Sequence, residues 1–188
     1  MVFLYVKNKY VAQRITILFV IPLFQDKKIS KDENGVKVDV SLYKQIVGSL
    51  MYLTATRPNL MFVVSLISRF MTCPTQQNFV ATKRVLRYLK GRVDYGVFLK
   101  KEGVSDLIGL VDSGYGRDME DSQSTLGYVF MMSGGAVAWS SHKQPIVTLS
   151  TTEAEFVASC ACACQAVWMR RILKERHSQI EEKKANVW

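Results

Sequence analysis

The chain has 188 residues, with 25 Lys or Arg against 16 Asp or Glu and a formal net charge of +9. Its hydrophobic content of 48% excludes a wholly disordered chain, and its length suits one domain, or one domain with part of a second. The positive charge favours anionic partners such as nucleic acid or acidic lipid headgroups, although a basic soluble surface alone gives the same composition.

Residues 1–25 have the composition of a secretory signal. Residues 1–14 carry three cations and no acid, and residues 15–24 form an apolar run that is too short to span a bilayer. We therefore predict no transmembrane span and a secreted protein. A cleavage site of the small-x-small kind does not follow, so an intracellular protein remains the alternative. Residues 26–40 are polar and predict an exposed linker.

Residues 41–95 predict a helical region. An apolar stripe at Leu42, Ile46, Leu50 and Leu53 has helical spacing and predicts a helix over residues 41–54. Pro58 suits the first turn of a second helix. A third helix is expected between a Thr75 cap and Gly91.

Four cations lie on or beside one face of the third predicted helix. At these positions they could contact phosphates, with about one counterion released per contact. The alternative is a solvated face whose aliphatic stems cover apolar neighbours. The four residues are Lys83, Arg84, Arg87 and Lys90.

Residues 96–176 predict three antiparallel strands and one long helix. The first strand ends at Asp112, the second follows a Gly- and Asp-rich turn, and the third follows Gly134 and Gly135. Ser150 and Glu153 have capping-box spacing at the start of the helix. We expect a charged tail over residues 177–188. The predicted fold class is thus α+β, with a helical N-terminal half followed by this smaller unit.

The motifs of this unit resemble the ribonuclease H domain of copia-type retrotransposon polyproteins, whose complete fold has further parallel strands. The resemblance covers residues 30–175. It also includes the segment that joins the polymerase to ribonuclease H, so residues 41–95 are connection-like and residues 96–176 a truncated ribonuclease H-like domain. Residues 1–25 could equally be a polymerase remnant. The matching strings are Asp112-Ser-Gly-Tyr, Ser124-Thr-Leu-Gly-Tyr-Val-Phe, Val137-Ala-Trp-Ser-Ser-His-Lys-Gln144, Leu149-Ser-Thr-Thr-Glu-Ala-Glu155, residues 43–58 and residues 83–91.

The resemblance implies that Asp112 and Glu155 are vestigial metal ligands. Family members hold two divalent cations with four carboxylates, and the third and fourth have no counterpart in this chain. Arg117 adds a cation to the metal-binding turn. We therefore expect no cofactor beyond a vestigial magnesium site and no nuclease activity, unless another chain completes the site. Missing parallel strands predict an unpaired edge on the first strand. They also predict a loss of partners for the apolar side chains of the long helix near Phe156, Val157, Trp168 and Met169.

Arg84-Val85-Leu86-Arg87 spells the Arg-x-Leu-Arg host-entry motif of oomycete effectors. That resemblance implies secretion, entry into plant cells and modulation of host cell death or immunity. The expected partner is a host protein or an acidic lipid headgroup. A chance match inside a helix is the alternative, in which case the chain is an inactive transposon remnant with residual nucleic-acid binding.

Overall fold

The computed structural model describes residues 2–6, 29, 34–94, 96–98, 106–116, 118 and 120–185. The chain is α+β, as predicted, with helices on both faces of one sheet. In chain order the elements are β1 (Val2–Val6), α1 (Val40–Leu53), a 3-10 turn (Pro58–Leu60), α2 (Met61–Ser68), α3 (Gln76–Lys90), β2 (Leu107–Gly114), β3 (Thr125–Met132), β4 (Gly135–Lys143) and α4 (Thr151–Ala185).

The three helices of the N-terminal half begin and end close to their predicted bounds. Asp39 caps α1, since its Oδ1 accepts from the backbone N–H of Ser41 at 2.8 Å. Thr75 and Asn78 form a capping box at the start of α3, which satisfies donors that the first helical turn leaves open. These caps explain why the local pattern located the helices correctly.

One apolar core holds this helical half together. The Tyr43 side chain is fully buried, and its hydroxyl donates to the Ile67 carbonyl oxygen at 2.9 Å. Burial raises the pKa of this phenol, and a hydrogen bond with Thr82 only partly opposes the effect. The core consists of Tyr43, Val47, Leu50, Leu60, Val63, Val64, Ile67 and Val85.

The sheet has the order β1-β2-β3-β4, with β3 antiparallel to both of its neighbours. These three antiparallel strands, β2 to β4, confirm the predicted unit. One sheet face packs against α4 through Val111, Phe130 and Cys162. The other face carries Leu110 and Val129, against which Met61 of α2 packs.

A parallel strand that the sequence analysis did not predict lies on the edge of β2. Backbone pairs join Val2 to Leu107 and Val6 to Val111, within the segment that resembles a signal. The expectation of an unpaired β2 edge was therefore wrong: its N–H and C=O groups over this stretch are paired within the chain. Residues 7–28, which include the predicted apolar run, lie outside the described residues.

The long helix α4 extends beyond the predicted end at residue 175 and continues to Ala185, so most of the expected tail is helical. Phe156 is 71% exposed and Trp168 is 56% exposed, as predicted. The prediction was wrong for Val157, which is half-buried, and for Met169, which packs against the core between α4 and the sheet. By length and composition alone, residues 151–178 could cross a membrane, a test that core helices of soluble proteins also pass.

Candidate functional site

Asp112 lies near the end of β2, opposite Gly127 of β3. Its side chain is half-buried and its Oδ1 is removed from solvent. Because strand side chains alternate between faces, Asp112 belongs to the face that carries Leu110 and Val129. The predicted carboxylate therefore sits at the tip of a buried strand, as the motif requires.

Glu155 lies in the second turn of α4, which packs on the opposite sheet face from Leu110. Ser150 accepts from the Glu153 backbone N–H at 3.1 Å, as expected of a cap. In a standard capping box the Glu153 carboxylate would accept from the N–H of the capping residue, Ser150. Here it accepts from the Leu149 N–H at 2.6 Å. The cap fixes the start of the helix and hence the position of Glu155.

Among the described residues, Asp112 and Glu155 are not part of a larger cluster of metal-binding side chains. Within this part of the chain there is no group of three or more His, Cys, Asp or Glu placed to hold a metal ion. Two magnesium ions carry four positive charges and prefer several oxygen ligands. Glu181 and Glu182 lie in the last turns of α4, and Arg117 is outside the described residues. The two described carboxylates alone supply fewer ligands than the two-metal arrangement that the family resemblance implies.

Asp118, an acid of the turn between β2 and β3, is paired with two cations. Its Oδ2 lies 2.7 Å from Arg69 Nη1 of the helical half and 2.6 Å from Lys143 Nζ at the end of β4. Lys143 also contacts Asp121 at 2.6 Å. The Asp118 carboxylate is thus neutralised by side chains from two other parts of the fold.

Several contacts act on the pKa of Asp118. Burial acts to raise it, but hydrogen bonds from Lys143 and the Glu120 backbone N–H, together with the charges of Lys143 and Arg69, outweigh burial and hold the pKa at about 2. The sequence analysis missed this cluster because its members are separated by up to 74 positions (Arg69 to Lys143). The only local signal was the position of Asp118 in the turn that follows Asp112.

The Arg-x-Leu-Arg string lies in the middle of α3. Val85 is fully buried in the helical core, whereas Leu86 is 40% exposed. Arg84 is half-buried and Arg87 is exposed. The two arginines are three positions apart, so they lie on neighbouring parts of one helical surface.

The predicted phosphate-contacting cations also lie on this helix. Lys83, Arg87 and Lys90 are exposed, and the Lys83 ammonium sits 4.4 Å from the centre of the Phe79 ring. Such a cation–π contact orients the Lys83 stem along the helix surface. The structure therefore places these charges on one accessible side of α3.

The charge of the chain is concentrated in the helical half. Residues 40–93 contain eight cations and no acid, while the rest of the chain has seventeen cations against sixteen acids. Such segregation creates a strongly positive potential over one half of the molecule. The eight residues are Lys44, Arg57, Arg69, Lys83, Arg84, Arg87, Lys90 and Arg92.

The chain is similar in sequence to the Pol polyproteins of plant retrotransposons. The chain is 36% identical over 154 residues to the retrovirus-related Pol polyprotein from transposon RE1 of Arabidopsis thaliana, covering 82% of this chain. It is 37% identical over 163 residues to the Pol polyprotein from transposon TNT 1-94 of Nicotiana tabacum, covering 82% of this chain. The aligned region spans only 10% and 12% of those two relatives.

A shorter relative aligns over most of its own length. The chain is 41% identical over 128 residues to secreted RxLR effector protein 161 of Plasmopara viticola, which covers 68% of this chain and 90% of that protein. No family model matches the chain and no solved structure matches it. The chain belongs to the family of proteins related to the Pol polyproteins of copia-type retrotransposons, which includes this shorter relative.

Proposed function

We propose that the chain is a non-catalytic, transposon-derived protein that acts by binding, as a secreted effector that enters host plant cells and modulates cell death or immunity. The observation that carries the proposal is the alignment with a secreted RxLR effector over 90% of that protein's length. The Pol relatives align over about a tenth of theirs. A relative that aligns with this chain over most of its own length is thus named as an effector.

The geometry of α3 limits how the host-entry motif could act. Because Val85 is buried in the helical core, the four residues cannot be bound as an extended peptide without unfolding α3. Recognition would instead use the arginines on the helix surface, Arg84 and Arg87. Host entry that depends on the motif should therefore require these two charges and not the two apolar residues between them.

Secretion is tested with a reporter enzyme fused behind residues 1–30. Export of the reporter supports the proposal, and complete retention inside the cell overturns it. Sequencing the N-terminus of the exported full chain shows whether β1 is retained. Cleavage after residue 25 would remove the strand that pairs with β2.

The effector role is tested by applying the purified chain to plant leaf tissue and scoring uptake and cell death, or its suppression. Arg84→Ala with Arg87→Ala should abolish uptake. A matched control, Lys83→Ala with Lys90→Ala, removes the same charge from the same helix and should retain uptake. Equal loss in both variants would show that general charge, and not the motif, matters.

Nucleic-acid binding is a second candidate function, favoured by the segregation of charge in residues 40–93. Each phosphate contact made by a cation should contribute about −0.9 to the slope of log affinity against log salt on duplex DNA. Fluorescence anisotropy on duplex DNA should show this slope become less steep when Lys83, Arg87 and Lys90 are replaced by Ala. A matched replacement of three exposed cations of α4, Arg170, Arg171 and Lys174, by Ala should leave the slope unchanged. Binding that is insensitive to salt would exclude the candidate.

A further inference from the structure

The two sides of α4 differ in the size of their side chains. The buried side is made of small residues at four-residue steps, which let the helix lie close to the sheet: Ala154, Ala158, Cys162 and Ala166. The large apolar residues lie outward. Phe156 is 71% exposed, Val167 is 50% exposed and Trp168 is 56% exposed, so the helix presents its bulkier side to solvent.

The outward residues follow the spacing of a helix–helix seam. Alternating steps of four and three residues connect Glu153, Val157, Cys160, Cys164, Val167 and Arg171. This is the repeat that keeps one narrow stripe of a helix facing a partner helix. Cys160 and Cys164 are both exposed, and their small side chains permit close approach at the middle of the stripe.

The order of residues along this stripe is palindromic about Cys162. At two positions on either side stand Cys160 and Cys164, and at five stand Val157 and Val167. At nine positions stand the opposite charges Glu153 and Arg171. Reversing the direction of the helix therefore matches each residue of the stripe with one that suits it.

We propose that α4 pairs antiparallel with α4 of a second copy of this chain, with the two-fold axis at Cys162. A two-fold interface uses the same surface on both copies and must be complementary to itself, which the palindrome satisfies. Val157 then lies against the partner's Val167 along the seam, while Phe156 and Trp168 lie on opposite flanks of it. Glu153 faces the partner's Arg171, and these charges oppose a parallel arrangement, which would place like charges together.

The spacing at the centre of the pair has a chemical consequence. Helix axes about 9–10 Å apart, with Cα atoms about 2.3 Å from each axis, bring facing Cα atoms to about 4.4–5.4 Å, within the roughly 4.4–6.8 Å that a disulfide spans. Cys160 would meet the partner's Cys164. Cys162 does not compete, because burial raises the pKa of its thiol to about 11 and thiolate is the reactive form.

A lipid surface is the other occupant that an exposed apolar helix could take. A membrane-bound helix presents a broad apolar face flanked by cations. The exposed apolar residues of α4 include Phe156, Trp168, Ile172 and Leu173, but the stripe between them ends in the opposite charges Glu153 and Arg171. The exchange of these charges between two antiparallel helices favours a second copy of the chain.

The first test measures association of the full reduced chain by sedimentation velocity over a concentration series. We expect a monomer–dimer equilibrium that Val167→Glu weakens by at least about tenfold in dissociation constant. The matched control is Val93→Glu, since Val93 is 69% exposed and lies outside α4. This control should leave the dissociation constant unchanged. A wild-type chain that stays monomeric up to about 100 µM, or that binds phosphatidylcholine–phosphatidylserine vesicles as a monomer, overturns the proposal.

The second test fixes the orientation of the pair by oxidative cross-linking. In a background of Cys73→Ser and Cys162→Ala, one variant keeps only Cys160 and a second, of different tag mass, keeps only Cys164. Antiparallel pairing predicts that the yield of cross-linked heterodimer in the mixture is well above the yield of cross-linked homodimer in either sample alone. A variant that keeps only Cys73, which is exposed, measures random collision. Homodimers that exceed the heterodimer would show a parallel pair and overturn the proposal, as would yields no higher than the Cys73 control.

Discussion

Replacing Asp118 by Asn should destabilise the protein by about 2 kcal/mol at neutral pH. The substitution keeps the size of the side chain but removes the charge that Arg69 and Lys143 approach within 2.7 and 2.6 Å. Only 9% of the Asp118 side chain is exposed, so solvent screens the contacts weakly. A fall in pKa from 3.8 to about 2, at 1.36 kcal/mol per unit, gives the stated magnitude.

The same contact predicts how stability depends on pH. Because the folded-state pKa of Asp118 is lowered, its contribution is fully present above the unfolded pKa of 3.8 and is lost as the pH falls towards about 2. The wild-type protein should therefore lose about 2 kcal/mol more than the Asp118→Asn variant between about pH 5 and pH 2. Near neutral pH the melting temperature of the variant should be lower by about 4–8 °C.

Urea unfolding of both proteins at pH 7 and at about pH 2.5 measures these differences. The matched control is Asp121→Asn, since the Asp121 side chain is 42% exposed and contacts Lys143 alone among the cluster's two cations. That change should cost less than about 1 kcal/mol. If Asp118→Asn costs no more than the control, or if both proteins show the same acid sensitivity, the reasoning from the ion-pair cluster is refuted.

Three further predictions concern elements that hold the fold. Trp139→Phe removes the indole N–H that donates to the Thr54 carbonyl oxygen at 2.8 Å. It should lower the free energy of unfolding in urea by about 1–2 kcal/mol. An unchanged urea midpoint would show that this link between the sheet and the helical half is not needed. Ser150→Ala removes the α4 cap and should cost about 1 kcal/mol, whereas Ser178→Ala, in the exposed part of α4, should cost less; equal costs would contradict the capping role. Deletion of residues 1–6 exposes the β2 edge and should increase aggregation, measured by light scattering; a deletion variant as soluble as the full chain would contradict the role of β1.

The helical half could be predicted from the sequence because its signals are local. Apolar residues at helical spacing place α1, and the Thr75 cap with Gly91 places α3, within one residue of their observed bounds. The three antiparallel strands follow for the same reason, since short turns join neighbouring segments. Because these elements are predicted correctly, Asp112 is correctly placed near the end of a strand and Glu155 near the start of a helix.

Features that depend on distant residues could not be predicted in this way. The pairing of β1 with β2 joins segments about 105 residues apart, and a short apolar stretch near an N-terminus is equally typical of a signal. The ion pair between Arg69 and Asp118 spans 49 positions. The extension of α4 was missed because a charged sequence carries little apolar periodicity, although it forms a helix.

The central claim, that Asp112 and Glu155 do not form a working metal site, is tested most directly by incubating the purified chain with an RNA–DNA hybrid and magnesium or manganese. We predict no cleavage above that of the Asp112→Asn variant with either ion. Cleavage by the wild-type chain that this substitution abolishes would contradict the account.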